Sequence, residues 1–142
     1  MPLQHSDLGR IARADGTFAM VAMDQRESLR LMLAKASGRT PEEVADDELT
    51  AFKVDVAAVL APEASGFLID PEFGGPLLSA GASGAPPSGT GLVVAADRLT
   101  GRPGEVVADA AFDDTLDLEA YARQGVAAAK LLVVWRDDER NA

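Results

Sequence analysis

The polar residues Asp24 and Gln25 come directly after the apolar run 18–23, with no Gly or Pro between that run and the helix-like pattern that follows. A packed core does not require a carboxylate and an amide at this point, so the pair predicts a functional site. Lys130 lies inside another apolar stretch, VAAAKLLVVW. Since Lys is almost never fully buried unless it is paired, we expect its amine to point into a site near Asp24.

Each of these residues also has a purely structural interpretation. Asp24 could simply cap the helix that follows, because Asp is a favoured N-cap residue. Lys130 could lie along apolar surface and keep its amine in water. Asp70 and Glu72 flank Pro71, and they could perform acid–base chemistry or hold a magnesium ion, but a tight turn explains them equally well. The residues alone leave these alternatives open.

Composition and missing motifs disfavour several classes of function. The chain of 142 residues has 13 basic and 23 acidic residues and a net charge of -10, which favours neither nucleic acid nor an anionic membrane as a partner. It has no Cys and a single His, His5, so a thiolate nucleophile, a disulfide and a zinc site are not expected. Neither a dinucleotide-binding glycine motif nor a P-loop occurs. We expect a cytoplasmic protein without a metal or a cofactor.

Short apolar runs alternate with helical patterns along most of the chain. We predict four strands, at residues 18–23, 67–69, 92–97 and 130–136. Helices are predicted to begin at Arg26, at the capping box TPEE and after Asp117. The Gly-, Pro- and Ser-rich segment 74–91 is predicted to be a mobile loop.

The second helix illustrates how a buried face is predicted from spacing. Leu49, Phe52, Val56 and Val59 step by three or four residues and would face the core. Lys53 would then lie at the surface or rim as a salt-bridge partner.

Alternation of apolar strands with helices predicts an α/β fold with a parallel sheet covered by helices. Asp24, Asp70, Asp97 and Arg136 would then lie at the carboxyl ends of the strands, the edge at which parallel α/β folds bind ligands. Only six residues follow Arg136, so the last strand would have no helix after it. This ending indicates four βα units of a larger domain.

Three segments resemble one family of enzymes. FAMVAMDQRESLRLML, FKVDVAAVLAPEASGFLIDPEFG and AAAKLLVVWRDDE are similar to the class I aldolases that include tagatose bisphosphate aldolase and sulfofructosephosphate aldolase. Trp135 and Arg136 look more like the sulfofructosephosphate branch. The resemblance implies a (β/α)₈ TIM barrel.

In that family, a lysine attacks the carbonyl of a ketose phosphate and forms an iminium, which accepts electrons as the adjacent carbon–carbon bond breaks. A glutamate acts as acid and base, and the products are dihydroxyacetone phosphate and an aldehyde. The resemblance implies that Lys130 matches a lysine on strand four whose charge lowers the pKa of the Schiff-base lysine. It implies that Asp24 and Gln25 contact substrate hydroxyls and the reacting nitrogen. Arg136 is a further candidate for binding the anionic sugar phosphate or sulfosugar phosphate.

The same resemblance implies that parts of the enzyme lie outside this sequence. A (β/α)₈ barrel takes about 250 residues, and the family's Schiff-base lysine and glutamate lie on strands six and five. None of Lys35, Lys53 and Lys130 matches the Schiff-base position. We therefore expect residues 1–142 to be a single partial barrel domain, truncated after strand four, inactive alone and homo-oligomeric. The alternative is a non-catalytic half-barrel that associates with itself or with a separate C-terminal half.

Overall fold

The computed structural model describes residues 8–79, 89–100 and 109–133. The described residues form six strands, β1 Met20–Met23, β2 Gly66–Ile69, β3 Gly91–Ala95, β4 Asp97–Thr100, β5 Asp109–Phe112 and β6 Ala128–Lys130. Four of them make a parallel sheet in the order β1-β2-β3-β6. This sheet confirms the predicted α/β fold, and its order is that of four consecutive strands of a (β/α)₈ barrel. The described residues do not close a barrel.

Helices connect the parallel strands. They are α1 Glu27–Ser37, α2 Asp46–Leu60, α3 Gly75–Leu78 and α4 Leu118–Arg123, with 3-10 turns at Leu8–Ile11, Pro41–Glu43 and Ala61–Glu63. Helix α1 ends at Ser37 and is followed by Gly38, whose φ of 70° suits a residue without a Cβ. The Asp117 carboxylate caps α4 by accepting a hydrogen bond from the Ala120 N–H at 2.8 Å. Within the described ranges, none of the helices has the length and hydropathy needed to cross a bilayer.

The two faces of the parallel sheet have different partners. Phe67, Ile69 and Val94 pack against the helices, in a core that includes Ala57 of α2 and Leu77 of α3. Side chains alternate between the faces of a strand, so the intervening residues point to the opposite face. The register pairs Ala95 with Lys130, and this places Lys130 on the face away from the helices.

The amino ends of the strands are covered by the first 3-10 turn. Ile11 in that turn is buried. A Cβ added at Gly91 would lie 2.1 Å from the carbonyl oxygen of Arg10, so only glycine fits where the turn crosses β3. The carboxyl ends, at which the candidate site residues lie, are at the other end of the sheet.

The fourth strand of the sheet begins and ends earlier than predicted. The strand is Ala128–Lys130, so Lys130 is its last residue and not its first. The helix predicted after Asp117 ends at Arg123, and Gly125, which has a φ of 100°, follows it. Ala129 then bonds to β3 as part of a strand. An alanine-rich stretch is compatible with both structures, and pairing with β3 selects the strand.

The buried face of α2 also differs from the prediction. Leu49, Lys53 and Ala57 are its buried residues, whereas Phe52 and Val59 are exposed. The predicted face left Lys53 at the surface or rim, whereas Lys53 and Ala57 lie on the buried face, one position from the predicted Phe52 and Val56. Lys53 can be buried because it forms an ion pair with Asp70.

Three further segments depart from the prediction. The capping box predicted at TPEE is present, with Glu43 accepting from the Thr40 N–H at 2.8 Å, but it begins a separate 3-10 turn. Helix α2 begins only at Asp46, where Glu48 accepts a hydrogen bond from the Ala45 N–H. The start of the predicted mobile loop, Gly75–Leu78, is the short helix α3, and residues 80–88 lie outside the described ranges. The strands β4 and β5 form an antiparallel pair, and neither was predicted as a strand of its own.

We expect the isolated chain to self-associate or to be marginally folded, because the described sheet ends in two strands with one partner each. Exposed apolar side chains follow one of these edges, with Leu131 at 49% and Val133 at 72% exposure. Light scattering at rising concentration measures the association. Val133→Lys should reduce it, and Val59→Lys, on the exposed face of α2, should not. A compact and stable monomer at high concentration would contradict the prediction.

Candidate functional site

Three charged side chains meet at the carboxyl end of the sheet. The Nζ atom of Lys130 lies 3.0 Å from Asp24 Oδ2 and 2.9 Å from Asp97 Oδ1. We call these three residues the Lys130 cluster. Asp24 follows β1, Asp97 begins β4 directly after β3, and Lys130 ends β6, so the parallel order of the strands brings them together. The predicted proximity of Lys130 and Asp24 is confirmed, and Asp97 is an additional member.

The Lys130 cluster holds its lysine in the charged form. Burial alone disfavours the ammonium, but hydrogen bonds and charges from Asp97 and Asp24 outweigh that effect and raise the pKa of Lys130 above its usual value. Asp97 is itself buried, and its Oδ1 also accepts a hydrogen bond from the Leu132 N–H at 3.1 Å. The Lys130 side chain remains 30% exposed, so a ligand can still reach this fixed positive charge.

A second ion pair, between Lys53 and Asp70, contacts the main chain on either side of Asp24. Lys53 reaches from α2 and is 0% exposed. Its ammonium donates to the main-chain carbonyls of Met23 and Gln25, each at 2.7 Å, and to the carboxylate of Asp70. Burial lowers the pKa of Lys53, and the hydrogen bond and charge of Asp70 offset this only in part. A side chain so enclosed cannot contact a substrate.

Arg26 connects the strand ends across the sheet. Its Nη2 atom donates to the main-chain carbonyl of Asp97 at 2.9 Å, and its Nε atom lies 3.9 Å from Glu72 Oε2. The Nε atom is buried and has no hydrogen-bond partner among the described residues. Arg26 thereby ties the segment after β1 to the segments after β2 and β3.

The contacts of Asp24 and Asp70 bear on their structural interpretations. The residue at the N-cap of α1 is Arg26 and not Asp24, and the Asp24 carboxylate instead bonds to Lys130. Asp70 uses one oxygen for Lys53 and the other for the Phe73 N–H at 2.7 Å, which favours the turn interpretation over a magnesium ligand. Among the described residues, no group of three or more His, Cys, Asp or Glu side chains is arranged to hold a metal ion.

Of the remaining candidate site residues, Gln25 lies within the described residues and Arg136 does not. Gln25 is half-buried next to Asp24, with its main-chain carbonyl bonded to Lys53. Arg136, the predicted anion-binding residue, lies outside the described residues, as do Trp135 and His5. Lys35 is exposed on α1, as expected.

Two residues of this site were not identified from the sequence. Asp97 was noted as a strand-end residue but was given no role. Lys53 was assigned to the surface, although its spacing of four residues from both Leu49 and Ala57 would have placed it on their helical face. Asp70, at the end of the next strand, offered a carboxylate with which a buried Lys53 could pair.

Comparison with known proteins relates the chain to one family. A family model described as DeoC/LacD family aldolase matches residues 18–142. The chain is 34% identical over 133 residues to tagatose 1,6-diphosphate aldolase 1 of Enterococcus faecalis, which covers 89% of this chain and 36% of that protein. It is 30% identical over 137 residues to tagatose 1,6-diphosphate aldolase of Staphylococcus epidermidis, covering 94% of this chain and 39% of that protein. The chain therefore spans less than half the length of these relatives.

Proposed function

Because this chain belongs to the DeoC/LacD family of aldolases, we propose that the Lys130 cluster is part of the active site of a class I aldolase. The observation that carries the proposal is the meeting of Lys130 with Asp24 and Asp97 at the ligand-binding end of a parallel sheet. Residues 1–142 would supply the first four strands of a cytoplasmic, homo-oligomeric enzyme as a single partial barrel domain. The iminium-forming lysine and the acid–base glutamate would come from strands beyond them.

The proposed reaction is cleavage of a ketose phosphate to dihydroxyacetone phosphate and an aldehyde. Relatives named tagatose 1,6-diphosphate aldolase support a bisphosphate of the tagatose type as the substrate. Sulfofructose phosphate is the second candidate, since Trp135 and Arg136 resemble that branch. Both substrates are anionic, and the chain carries a net charge of -10, so local cations such as Lys130 would have to offset the field of the protein.

The protonation state of Lys130 suggests its role. A lysine with a raised pKa is a poor nucleophile, because Schiff-base formation needs a neutral amine. A fixed ammonium instead lowers the pKa of a second lysine placed beside it and keeps that amine neutral. Asp24, on the same ion pair, would accept hydrogen bonds from substrate hydroxyls, with Gln25 alongside it.

Lys53 is not a substitute for the missing nucleophile. Its lowered pKa would favour a neutral amine, but the side chain is fully buried and its ammonium has three acceptors. A ketose carbonyl cannot reach it without opening the packing between α2 and the sheet. The alternative function, a non-catalytic half-barrel that pairs with itself or with a separate C-terminal half, is supported by the two edges of the sheet, which have no further strand partner among the described residues.

Trapping of the iminium distinguishes these functions. We expect borohydride reduction with dihydroxyacetone phosphate to leave no adduct on the 142-residue chain. A longer version with all eight strands, whether encoded downstream or completed with the Enterococcus faecalis relative, should carry one adduct beyond residue 142. Mass spectrometry of peptides locates it.

Two results would contradict the proposal. A stoichiometric adduct on Lys130 of the short chain, with measurable carbon–carbon cleavage, would make the half-barrel itself the enzyme. An eight-stranded version that is folded but forms no adduct would favour the non-catalytic function. Lys35→Met is the matched control, because Lys35 is exposed and remote from the strand ends.

A further inference from the structure

The acceptors around Lys53 come from two strand ends, and two of them flank a candidate site residue. Met23 and Gln25, whose carbonyls accept from Lys53, are the residues on either side of Asp24. An ammonium has three N–H donors, and the Asp70 carboxylate takes the third. The main chain at Asp24 is therefore held on both sides by one buried side chain.

The contacts of Lys53 with the main chain bear on the direction in which the Asp24 carboxylate points. With both neighbouring carbonyls bonded to Lys53, the Asp24 carboxylate bonds to Lys130 at 3.0 Å. Asp70, the counter-ion of Lys53, is fixed in turn by the Phe73 N–H at 2.7 Å. We propose that Lys53 and Asp70 are positioning residues that clamp segment 23–25 and so hold Asp24 against Lys130.

The chemistry of the pair supports a positioning role over mere filling of the core. A buried ion pair is often no more stabilising than apolar side chains of the same volume, so packing alone does not require a lysine here. An ammonium does what an apolar side chain cannot, because it orients two carbonyls at once. The charge of Asp24 also acts on Lys53 and raises the pKa of Lys53 against the larger lowering effect of burial.

The reactivity of Lys130 tests the clamp without any assay of catalysis. Competitive acetylation with a trace of acetic anhydride, followed by peptide mass spectrometry, compares Lys130 with exposed Lys35 in one sample. In the native chain the two carboxylates keep Lys130 protonated, so its labelling relative to Lys35 should be low. Asp24→Asn should raise the ratio by about three- to tenfold, since one unit of pKa corresponds to tenfold.

The decisive variant is Lys53→Met with Asp70→Asn, which removes both charges together and leaves an amide oxygen for Phe73. We expect its labelling ratio to rise as far as in Asp24→Asn, although Asp24 itself is unchanged. Leu49→Ala is the matched control. It removes a fully buried side chain one turn earlier on α2 and should lower stability with the ratio unchanged. A folded double variant with the native ratio would overturn the proposal, as would an equal rise in Leu49→Ala.

A second measurement applies to the native chain, in case the double variant does not fold. The Lys53 ammonium should give a slowly exchanging ¹⁵N–¹H signal with couplings across hydrogen bonds to the carbonyl carbons of Met23 and Gln25. Absence of this signal from folded protein would overturn the clamp. Any effect on turnover rests on the proposed function, whereas these two measurements do not, so failure of the clamp and failure of the aldolase assignment are distinguishable.

Discussion

Lys53→Met is expected to lower the free energy of unfolding by about 3–5 kcal/mol, the usual cost of removing one partner of a buried ion pair. Asp70 is fully buried, and without Lys53 its carboxylate would be an uncompensated charge in the core. The carbonyls of Met23 and Gln25 would lose their donor as well. If the isolated chain has less stability than this, the variant should simply be unfolded.

Urea unfolding followed by circular dichroism at neutral pH measures this change. Lys53→Met combined with Asp70→Leu should recover most of the loss, because it replaces the charged pair with apolar side chains. Lys35→Met should stay within about 0.5 kcal/mol of the native chain, as is usual for surface substitutions. A single variant as stable as the native chain would contradict the prediction. A double variant as unstable as the single one would locate the loss in the main-chain groups left without partners, the two carbonyls and the Phe73 N–H.

Lys130→Met should reduce kcat/KM of the eight-stranded enzyme by about 10²–10³-fold, the range found when one group that stabilises developing charge is removed. The substitution takes away the cation that is proposed to keep the neighbouring Schiff-base lysine neutral. It also leaves the carboxylates of Asp24 and Asp97 without the ammonium that lies between them.

The pH dependence separates this role from a structural one. Removing a nearby cation raises the pKa of the nucleophilic lysine, so a smaller fraction of it is neutral near pH 7. The acid limb of the profile of log kcat/KM against pH should therefore move to higher pH. Lys130→Arg retains the charge and should move that limb less. A large loss of activity with an unmoved acid limb would contradict the electrostatic role, and full activity in Lys130→Met would contradict the site assignment.

The parts of the fold that follow from local pattern were predicted correctly. The apolar runs before Asp24 and Asp70 form parallel strands because they are apolar on both faces, and both carboxylates lie at the expected sheet edge. The proximity of Lys130 to Asp24 could be predicted because an unpaired charge among apolar residues is costly. In each of these cases, a local physical requirement favoured the arrangement that the structure shows.

The remaining parts depend on contacts between distant segments. Ala128 and Ala129 fit a helix as well as a strand, and only pairing with β3 decides between them. Lys53 was predicted to be a salt-bridge partner at the surface or rim; the salt bridge is present, but Lys53 is buried and its three acceptors come from the ends of β1 and β2. The β4–β5 hairpin likewise depends on cross-strand bonds. Local pattern does not by itself identify such partners, because they lie far apart in the sequence.

The contacts of Lys53 have a consequence for the order of folding. They join Met23, Lys53 and Asp70 from three separate places on the chain, and an ammonium that leaves water before its acceptors are in place is strongly disfavoured. The contact should therefore form only after β1, α2 and β2 have assembled, on the native side of the main barrier. Interactions that form there act on the rate of unfolding and hardly on the rate of folding. The buried lysine would thus determine how long the assembled strand ends persist, while the apolar strands determine how fast they assemble.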